Sequence, residues 1–293
     1  MSRFRSALIF LVAFSMSVFT CKKADDPFSA EMHKVVSNDV EFESVTNEVD
    51  DIVLSALVSA DSPSGRAAAI TDDRITCATL TYDSTANRVT GSVTIDFGVG
   101  CTDARGNLRI GKITVSWTGG RWYKVGSHQI VSFTGYAVNG IAFSSSDVRN
   151  IHNVSSVSSP LTWTVEGGHN LVYADLVGGN RTIHLTRQWV RASDPANDRL
   201  IISQTRGAAN AASGTNRYAK AYTVVITTPI EYLRSCTFAN KVMRPVKGTR
   251  TITYDSNKTG TVDFGTGTCD ANFTATNGVA SRTFTFKNNG IDD

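Results

Sequence analysis

Thr81-Tyr82-Asp83-Ser84, followed by Thr90-Gly91 and by Ile95-Asp96-Phe97-Gly98-Val99-Gly100-Cys101-Thr102-Asp103, is a stretch of sequence that occurs twice in this chain. The second copy reads Thr253-Tyr254-Asp255-Ser256, Thr259-Gly260 and Val262-Asp263-Phe264-Gly265-Thr266-Gly267-Thr268-Cys269-Asp270. Each copy alternates β-branched or aromatic residues with turn residues, which is the pattern of a β-hairpin. The repeat therefore predicts two similar hairpins, one near either end of a β-rich region.

The sequence after about Thr71 predicts an all-β fold. Short runs of β-branched and aromatic residues alternate with Gly, Asn, Asp and Ser turns. Asn139-Gly140 lies between two such runs, and this pair is the strongest short-range signal for a hairpin because both residues tolerate positive φ. Connections this short suit antiparallel neighbours. We therefore expect residues 71–293 to form a single large β-domain. It would be a long antiparallel meander, arranged as a large curled sheet that is barrel-like or a sandwich.

Residues 31–60 predict one N-terminal helix. Apolar residues recur there with the helical period and form a stripe of Val36, Val40, Phe42, Val45, Val49, Ile52, Val53, Ala56 and Leu57. The opposite face carries the polar residues Ser44, Asn47, Glu48 and Asp51. Because many of the residues are β-branched, the intrinsic helicity is low and the helix needs a docking surface.

The start of the chain predicts export and a lipid anchor. Residues 1–20 have the anatomy of a signal peptide, with Arg3 and Arg5 before an apolar run. The run is shorter than the ~20 apolar residues that span a bilayer. Cys21 follows and resembles the lipidated cysteine of a bacterial lipoprotein, which carries acyl chains such as palmitate. The alternative is an ordinary cleaved signal with an unmodified cysteine. Residues 21–30 then predict a flexible tether.

Charge and composition indicate which classes of binding partner to expect. The chain has 293 residues, of which 41% are hydrophobic and 19% charged, as is typical of a globular protein. The formal charge is +3, and loss of Arg3 and Arg5 with the signal peptide leaves +1. A nucleic-acid-binding protein normally carries a clustered basic face. We therefore expect no nucleic-acid partner.

Five cysteines, at positions 21, 77, 101, 236 and 269, predict two disulfides. Lipidation of Cys21 leaves four in an oxidising compartment, where three pairings are possible. Folding each copy of the repeat as a hairpin brings Cys77 to Cys101 and Cys236 to Cys269 at the open end of the hairpin. We therefore expect two disulfide-clasped hairpins, over residues 77–101 and 236–269.

The glycine loops of the repeat allow one metal hypothesis. They are flanked by Asp96, Asp103, Asp263 and Asp270, and hard oxygen ligands near tight turns bind Ca²⁺. The spacing is not that of an EF-hand loop. Alternate glycines before a cysteine also suit a sharp bend or bulge. Turn-making is the favoured interpretation, so we expect no cofactor, and Ca²⁺ bound by these aspartates is the alternative.

Sequence motifs for catalysis are missing. The five histidines show no metal-binding spacing such as His-Glu-x-x-His, and there is no Gly-x-Ser-x-Gly elbow or phosphate-binding glycine loop. Paired carboxylates for glycoside hydrolysis need only spatial closeness, so that reaction stays open. We therefore expect that the protein is not an enzyme, and we assign no catalytic residue.

Two further hypotheses concern the surface. Trp122 and Tyr123 break the alternation beside a Gly-Gly pair, and an exposed pair of this kind stacks on a sugar ring or docks a partner. The alternative is that these aromatic residues cover a hairpin end. Asp83-Ser84-Thr85 resembles the acceptor triplet for O-glycosylation in Bacteroidota, centred on Ser84.

Several motifs carry a resemblance that covers nearly the whole mature chain. They are Cys21-Lys22-Lys23, Gly-Asn-Leu-Arg-Ile-Gly-Lys-Ile at 106–113, Gly-Tyr-Ala-Val-Asn-Gly at 135–140, Ile-Thr-Thr-Pro-Ile at 226–230 and Val-Asp-Phe-Gly-Thr-Gly-Thr-Cys-Asp at 262–270. Together they resemble a group of β-rich, functionally uncharacterised lipoproteins of Bacteroidota. The chain departs from the group in a long insert between Cys236 and Gly248. The group brings no known reaction, cofactor or catalytic residue.

These features lead to one functional hypothesis and two alternatives. We expect a lipid-anchored lipoprotein of the outer membrane, on the cell surface rather than the periplasmic face. Its β-domain would be a non-catalytic binding or adhesion module for a glycan or protein ligand. The first alternative is a structural subunit of a cell-envelope or fimbria-like assembly, which should self-associate or release an edge strand. The second is a polysaccharide-acting enzyme.

Overall fold

The computed structural model describes residues 28–60, 72–155, 160–175, 177–236, 244–255, 257–287 and 290–292. The predicted signal peptide, Cys21 and most of the predicted tether lie outside these residues. So does most of the insert that follows Cys236.

One long helix, α1 (Ala30–Ala60), precedes the sheet. Ser29 caps it, because the Ser29 Oγ accepts a hydrogen bond from the Met32 N–H at 3.2 Å. The 31 residues of α1 give it a length of about 46 Å. Every residue from Val35 to Val58 is buried or half-buried, so the helix lies inside the fold rather than on its surface. Among the described residues, no helix has both the length and the apolar character needed to cross a membrane.

Seventeen strands of the described chain form a single sheet. They are β1 (Thr79–Ser84), β2 (Gly91–Asp96), β3 (Cys101–Thr102), β4 (Leu108–Thr118), β5 (His128–Val138), β6 (Ile141–Phe143), β7 (Val148–Asn153), β8 (Leu161–Val172), β9 (Gly178–Val190), β10 (Arg199–Gln204), β11 (Ala212–Thr215), β12 (Ala221–Leu233), β13 (Pro245–Tyr254), β14 (Lys258–Thr266), β15 (Asn272–Thr276), β16 (Ser281–Lys287) and β17 (Gly290–Asp292). A 3₁₀-helix, Pro195–Asn197, lies between β9 and β10.

The strands pair antiparallel and nearly in chain order. Three positions in the sheet are shared by two short strands: β2 and β3 both pair with β4, β6 and β7 both lie between β5 and β8, and β10 and β11 both lie between β9 and β12. The prediction of an all-β antiparallel meander with one N-terminal helix is confirmed.

The sheet curls around α1. Near one edge of the sheet, Arg109 of β4 pairs with Glu48 of the helix at 2.7 Å. Near the other edge, Phe284 of β16 packs against Phe28, just before the helix, with ring centroids 5.9 Å apart. Strands that are so far apart in the sheet reach one helix only if the sheet bends round it. The arrangement is therefore a single curled sheet rather than a sandwich of two sheets.

A bulge in β5 changes which side chains face the helix. Two residues of β5, Gly135 and Tyr136, lie opposite the single residue Gly111 of β4. The φ of Gly135 is +59° and that of Gly111 is +74°, and a Cβ on Gly111 would collide with the Gly135 backbone. The extra residue turns Tyr136 inward, where its hydroxyl accepts a hydrogen bond from Arg109 at 2.9 Å.

Candidate functional site

The most charged region of the interior is the contact between α1 and its enclosing chain. Six arginines, each at most 4% exposed, point toward the helix: Arg74, Arg109, Arg149, Arg181, Arg187 and Arg250. The helix meets them with five carboxylates, on Asp39, Glu43, Glu48, Asp50 and Asp51. A buried charge without a partner is costly, so each side of this contact depends on the other.

The first group of ion pairs lies at the middle of α1. Arg250 of β13 holds its Nη2 2.7 Å from Asp39 Oδ2 and also contacts Glu43. Arg181 of β9 contacts Asp39 and lies 3.6 Å from Glu43 Oε2. The Tyr232 hydroxyl donates to Glu43 Oε1 at 3.2 Å. Two guanidinium groups thus balance two carboxylates in a site that excludes water.

The second group lies one to two turns further along the helix. Asp50 contacts both Arg149 of β7 and Arg187 of β9. Arg187 also donates to Asn47 Oδ1 at 2.7 Å. Arg149 donates to the Thr46 carbonyl oxygen at 3.3 Å. One carboxylate thus serves two arginines, and neutral oxygens of α1 accept further hydrogen bonds from both of them.

His169 of β8 adjoins this second group. Arg149 Nε donates to the His169 ring at 3.0 Å, which requires a neutral imidazole as acceptor. Burial lowers the pKa of His169 well below its ordinary value, and the positive charges of Arg149, Arg181 and Arg187 lower it further. His169 is therefore a hydrogen-bond acceptor for an arginine rather than an acid.

Two more groups fix the C-terminal half of α1. Arg109 lies 2.7 Å from Glu48 Oε1, and its Nε lies 3.0 Å from Asp103 Oδ2. Arg74, in the segment before β1, lies 2.5 Å from a carboxylate oxygen of each of two aspartates, Asp51 on the helix and Asp72. These contacts join the helix to the part of the chain that leads into the first hairpin.

Two ionisable groups beside the helix have pKa values that are displaced away from neutrality. Burial alone would raise the pKa of Asp72, but the charge and hydrogen bonds of Arg74 outweigh it and hold that pKa well below its usual range. Burial raises the pKa of Tyr222 to about 12. A general acid or base works best with a pKa near the operating pH. Neither Asp72 nor Tyr222 meets this condition at neutral pH.

Two small cavities flank the C-terminal half of α1, and Leu54 lines both. The first includes Trp122 and Trp163 in its wall. The second includes Trp189. The three tryptophans are between 2% and 8% exposed, so little ring surface is available to a ligand from solvent.

The outer face of β12–β16 has a different chemistry, because threonines cover it. They are Thr223, Thr227, Thr228, Thr249, Thr251, Thr253, Thr259, Thr261, Thr274, Thr276, Thr283 and Thr285, all exposed or half-buried. Thr251 lies opposite Thr261, and Thr261 lies opposite Thr276 on the next strand. We call this surface the threonine face. Each of its residues presents one hydroxyl and one methyl group on a regular sheet.

Both predicted disulfides are present. Cys77 and Cys101 have their Cα atoms 5.8 Å apart, and Cys236 and Cys269 have theirs 5.4 Å apart. Both distances lie within the usual range for a disulfide. The pairing that the repeat predicts is confirmed.

The four aspartates of the metal hypothesis form turns. Each accepts a hydrogen bond from the backbone N–H two residues further on: Asp96 from Gly98, Asp103 from Arg105, Asp263 from Gly265 and Asp270 from Asn272. This is the geometry of an Asx turn. In the parts of the chain that the structure describes, no group of three or more His, Cys, Asp or Glu residues is placed to hold a metal ion. The structure gives these aspartates the turn-making role.

The hypothesis of an exposed Trp122–Tyr123 pair is wrong, whereas burial agrees with the favoured alternative that these aromatic residues cover a hairpin end. Trp122 is 2% and Tyr123 5% exposed, and their rings meet edge to face with centroids 5.3 Å apart. The Trp122 carbonyl oxygen accepts hydrogen bonds from Ser127 Oγ at 2.7 Å and from Gln129 Nε2 at 2.8 Å. Since these bonds satisfy the backbone of the β4–β5 connection, the connection folds inward and carries both rings into the core.

Two modification hypotheses stay predictions. Ser84 is exposed at the end of β1, where a glycosylating enzyme can reach its hydroxyl. Cys21, the proposed lipidation site, lies outside the described residues.

Sequence reasoning missed the buried ion pairs. The polar face of the helix was expected to lie away from the docking surface, yet Asn47 is 1% exposed and Glu48 is half-buried. One signal was present in β9, where Arg181 and Arg187 share the face of Ile183. Charged residues at the apolar positions of a strand predict carboxylates on whatever packs against that face.

Comparison of the chain with protein-family models, curated proteins and solved structures found no match. The functional argument therefore depends on the chemistry and geometry of this chain.

Proposed function

We propose that this protein is a lipid-anchored lipoprotein of the outer membrane, exposed at the cell surface, and that its sheet is a non-catalytic binding or adhesion module for a glycan. The threonine face is the observation that carries the proposal. Its hydroxyls can exchange hydrogen bonds with sugar hydroxyls, and its methyl groups can pack on the C–H faces of a sugar ring. The charges of Glu231 and Lys247 on the same side of β12 and β13 pair with each other at 3.2 Å, and Asp263 adds one negative charge on β14, so the surface suits a largely neutral ligand.

The interior favours a rigid binding surface over a catalytic one. The inward sides of the same strands carry Arg250, bound to Asp39, and Phe273, stacked on Phe284 with ring centroids 5.0 Å apart. A surface supported in this way loses little conformational entropy when a ligand binds. The buried arginines of the sheet form ion pairs with the carboxylates of α1 and so fix the helix in place.

The position of α1 is compatible with an anchor at Cys21. The helix begins at Ala30, nine residues after that cysteine. A chain of this length spans at most about 32 Å. The N-terminal end of α1 would therefore face the membrane, with the sheet beyond it.

Two measurements test the proposal on cells that make the full chain. Protease applied to whole cells should remove the protein if it is on the surface, and an intact protein would overturn the surface location. The purified protein should then bind glycans on an array. A blank array would overturn the glycan ligand.

A triple variant locates the binding surface. Thr251→Val, Thr261→Val and Thr274→Val together remove three hydroxyls but keep side-chain shape and strand propensity. Because each lost hydrogen bond costs about 0.5–1.5 kcal/mol, glycan affinity should fall roughly tenfold or more. The matched control, Thr162→Val with Thr164→Val and Thr182→Val on the outer face of β8 and β9, should bind like the parent. Equal binding by both variants would exclude the threonine face.

A structural subunit of a cell-envelope or fimbria-like assembly is the second candidate. The observation that favours it is the outer edge of β1, which no strand of the described chain covers.

A further inference from the structure

β1 forms one edge of the sheet. Its register with β2 runs without interruption from Thr79 opposite Asp96 to Ser84 opposite Gly91. In the described chain no strand pairs with its other side. In an antiparallel pair, alternate residues of an edge strand direct their N–H and C=O groups away from the partner. The free side of β1 therefore offers a row of donors and acceptors for another strand.

In the described chain, Asp83 is the one charged residue of this edge strand, and no described segment covers its free side. Natural edges are protected by lysine, proline, bulges or covering segments. β1 reads Thr-Leu-Thr-Tyr-Asp-Ser, and its pairing with β2 has no bulge. Both of its ends are fixed, by the Cys77–Cys101 disulfide before it and by the hydrogen bond from Thr85 N–H to the Thr90 carbonyl, at 2.9 Å, after it. β1 is thus a rigid and open edge.

The apolar side of β1 extends beyond the core. Leu80 and Tyr82 lie opposite Ile95 and Val93, which are fully buried. Leu80 is only half-buried, and Tyr82 is 45% exposed. The helix-facing row of the sheet therefore continues onto β1 with nothing in the described chain to cover Tyr82 fully.

We propose that β1 pairs with β1 of a second copy of this chain, antiparallel, about a two-fold axis at Thr81. Directly opposite residues of an antiparallel pair point to the same face of the sheet. Leu80 and Tyr82 of both copies therefore stay on one face only if even-numbered residues of one copy lie opposite even-numbered residues of the other. With Thr81 opposite Thr81 of the second copy, Leu80 lies opposite Tyr82 in both halves.

Charge agrees with this register. Asp83 lies opposite Thr79 of the second copy, so the two Asp83 carboxylates stand at opposite ends of the paired strands. A six-residue contact is small, and the pair should be weak in solution. Copies held on one membrane by lipid would be at high local concentration, which favours the pair.

The pairing goes beyond the proposed function, and it does not depend on glycan binding. A two-fold contact is closed, because each copy uses its free β1 edge in the pair. It therefore brings two threonine faces into one particle, which strengthens adhesion to a repeating ligand. It does not extend into a fibre, as a head-to-tail contact would.

Disulfide trapping tests the register. In the full chain with Cys21→Ser, so that the engineered thiol is the only unpaired one, Thr81→Cys should give a covalent dimer under mild oxidation. The expected Cα–Cα distance across the pair, about 4.5–5.5 Å, suits a disulfide. Asp83→Cys, which faces Thr79 rather than itself, and Thr182→Cys on the exposed face of β9 should give at least fivefold less dimer.

A second variant tests the apolar contact. Adding Tyr82→Lys to Thr81→Cys should reduce the trapped dimer at least fivefold, whereas adding Val177→Lys, at an exposed valine outside β1, should leave it unchanged. Circular dichroism checks that each variant folds. Equal trapping by Thr81→Cys and Thr182→Cys, or a loss that is the same for both lysine variants, would overturn the pairing. Binding of a single glycan unit by one copy does not require the pair, so the two proposals fail separately.

Discussion

The two copies of the Tyr-Asp-Ser repeat fold into hairpins with the same disulfide clasp, but they lie in different surroundings. Tyr82 of the first copy is 45% exposed, whereas Tyr254 of the second is 4% exposed. Leu80 is half-buried, and its counterpart Ile252 is fully buried. The local sequence is alike, so the difference comes from position in the sheet. β1 has one neighbour, and β13 lies between β12 and β14.

The geometry of the turn and of the disulfide is a property of each hairpin, whereas the burial of its strands is a property of the sheet. Both turns place a non-glycine residue at positive φ, Arg88 at +57° and Asp255 at +47°. Both clasps close at nearly the same Cα–Cα distance. These features follow from short-range sequence. Burial of the strand depends on how many strands follow it on each side, which no short motif encodes.

The largest expected effect concerns the residue that differs most between the copies. Arg250 lies in β13, three residues before the Thr-Tyr-Asp-Ser motif. The equivalent position of the first copy holds Ala78. Arg250→Met would leave Asp39 and Glu43 with Arg181 as their remaining guanidinium. Breaking a buried ion pair costs about 3–5 kcal/mol, because the surviving charge is left uncompensated. Urea unfolding followed by circular dichroism should show a loss of that size.

Two controls make this prediction specific. Ala78→Met, at the equivalent half-buried position of the first copy, should change the free energy of unfolding by less than about 1 kcal/mol. Adding Glu43→Gln to Arg250→Met removes the excess negative charge and should recover part of the lost stability. If the double variant were less stable than Arg250→Met, charge imbalance would not be the cause.

The second prediction compares one substitution in both copies. Tyr254→Ala should cost about 3 kcal/mol or more, since removing a buried aromatic ring leaves a cavity. Tyr82→Ala should cost less than about 1 kcal/mol in the monomer, since much of its ring is in water. Urea unfolding at low protein concentration measures both. Equal losses would show that the two hairpins are supported alike and that the exposure of β1 is not a property of the protein in solution.

Much of the fold was predictable because its signals are local. Alternating apolar residues predicted the strands, the Asn139-Gly140 pair predicted a hairpin between β5 and β6, and the cysteines of the repeat predicted two disulfides. The helical period predicted the bounds of α1 to within one residue. The sequence did not show that the sheet encloses the helix. That depends on the cumulative curl of many strands, to which Gly135 contributes through its bulge.

The site was predictable only in part, for the same reason. Asp96 and Asp263 were read as turn residues or as metal ligands, and their own neighbours decide for turns. For Trp122, which breaks the alternation of its strand, the sequence left two interpretations open, an exposed ring or a ring that covers a hairpin end. Its burial depends on Ser127 and Gln129, which satisfy its carbonyl oxygen from further along the chain. For contacts between α1 and distant strands, such as Asp39 with Arg250, the local sequence shows a charged residue on an apolar strand face but not which carboxylate it meets.

The smallest expected effect is the pH dependence of the unfolding free energy that comes from the segment leading into the first copy. In that segment, just before β1, Arg74 forms ion pairs with Asp72 and with Asp51 of the helix. The pKa of Asp72 is below its ordinary value, since the charge and hydrogen bonds of Arg74 outweigh the effect of burial. The unfolded chain therefore takes up the proton first as pH falls. The stability that Asp72 contributes is fully present above its ordinary pKa, near 4, and is lost progressively below that, by at most about 1.4 kcal/mol per pH unit.

Unfolding free energies at pH 5, 4 and 3 should show the gap between the parent and Asp72→Asn narrowing with falling pH. A gap that stays constant from pH 5 to pH 3 would mean that Asp72 holds the first hairpin by its shape rather than by its charge.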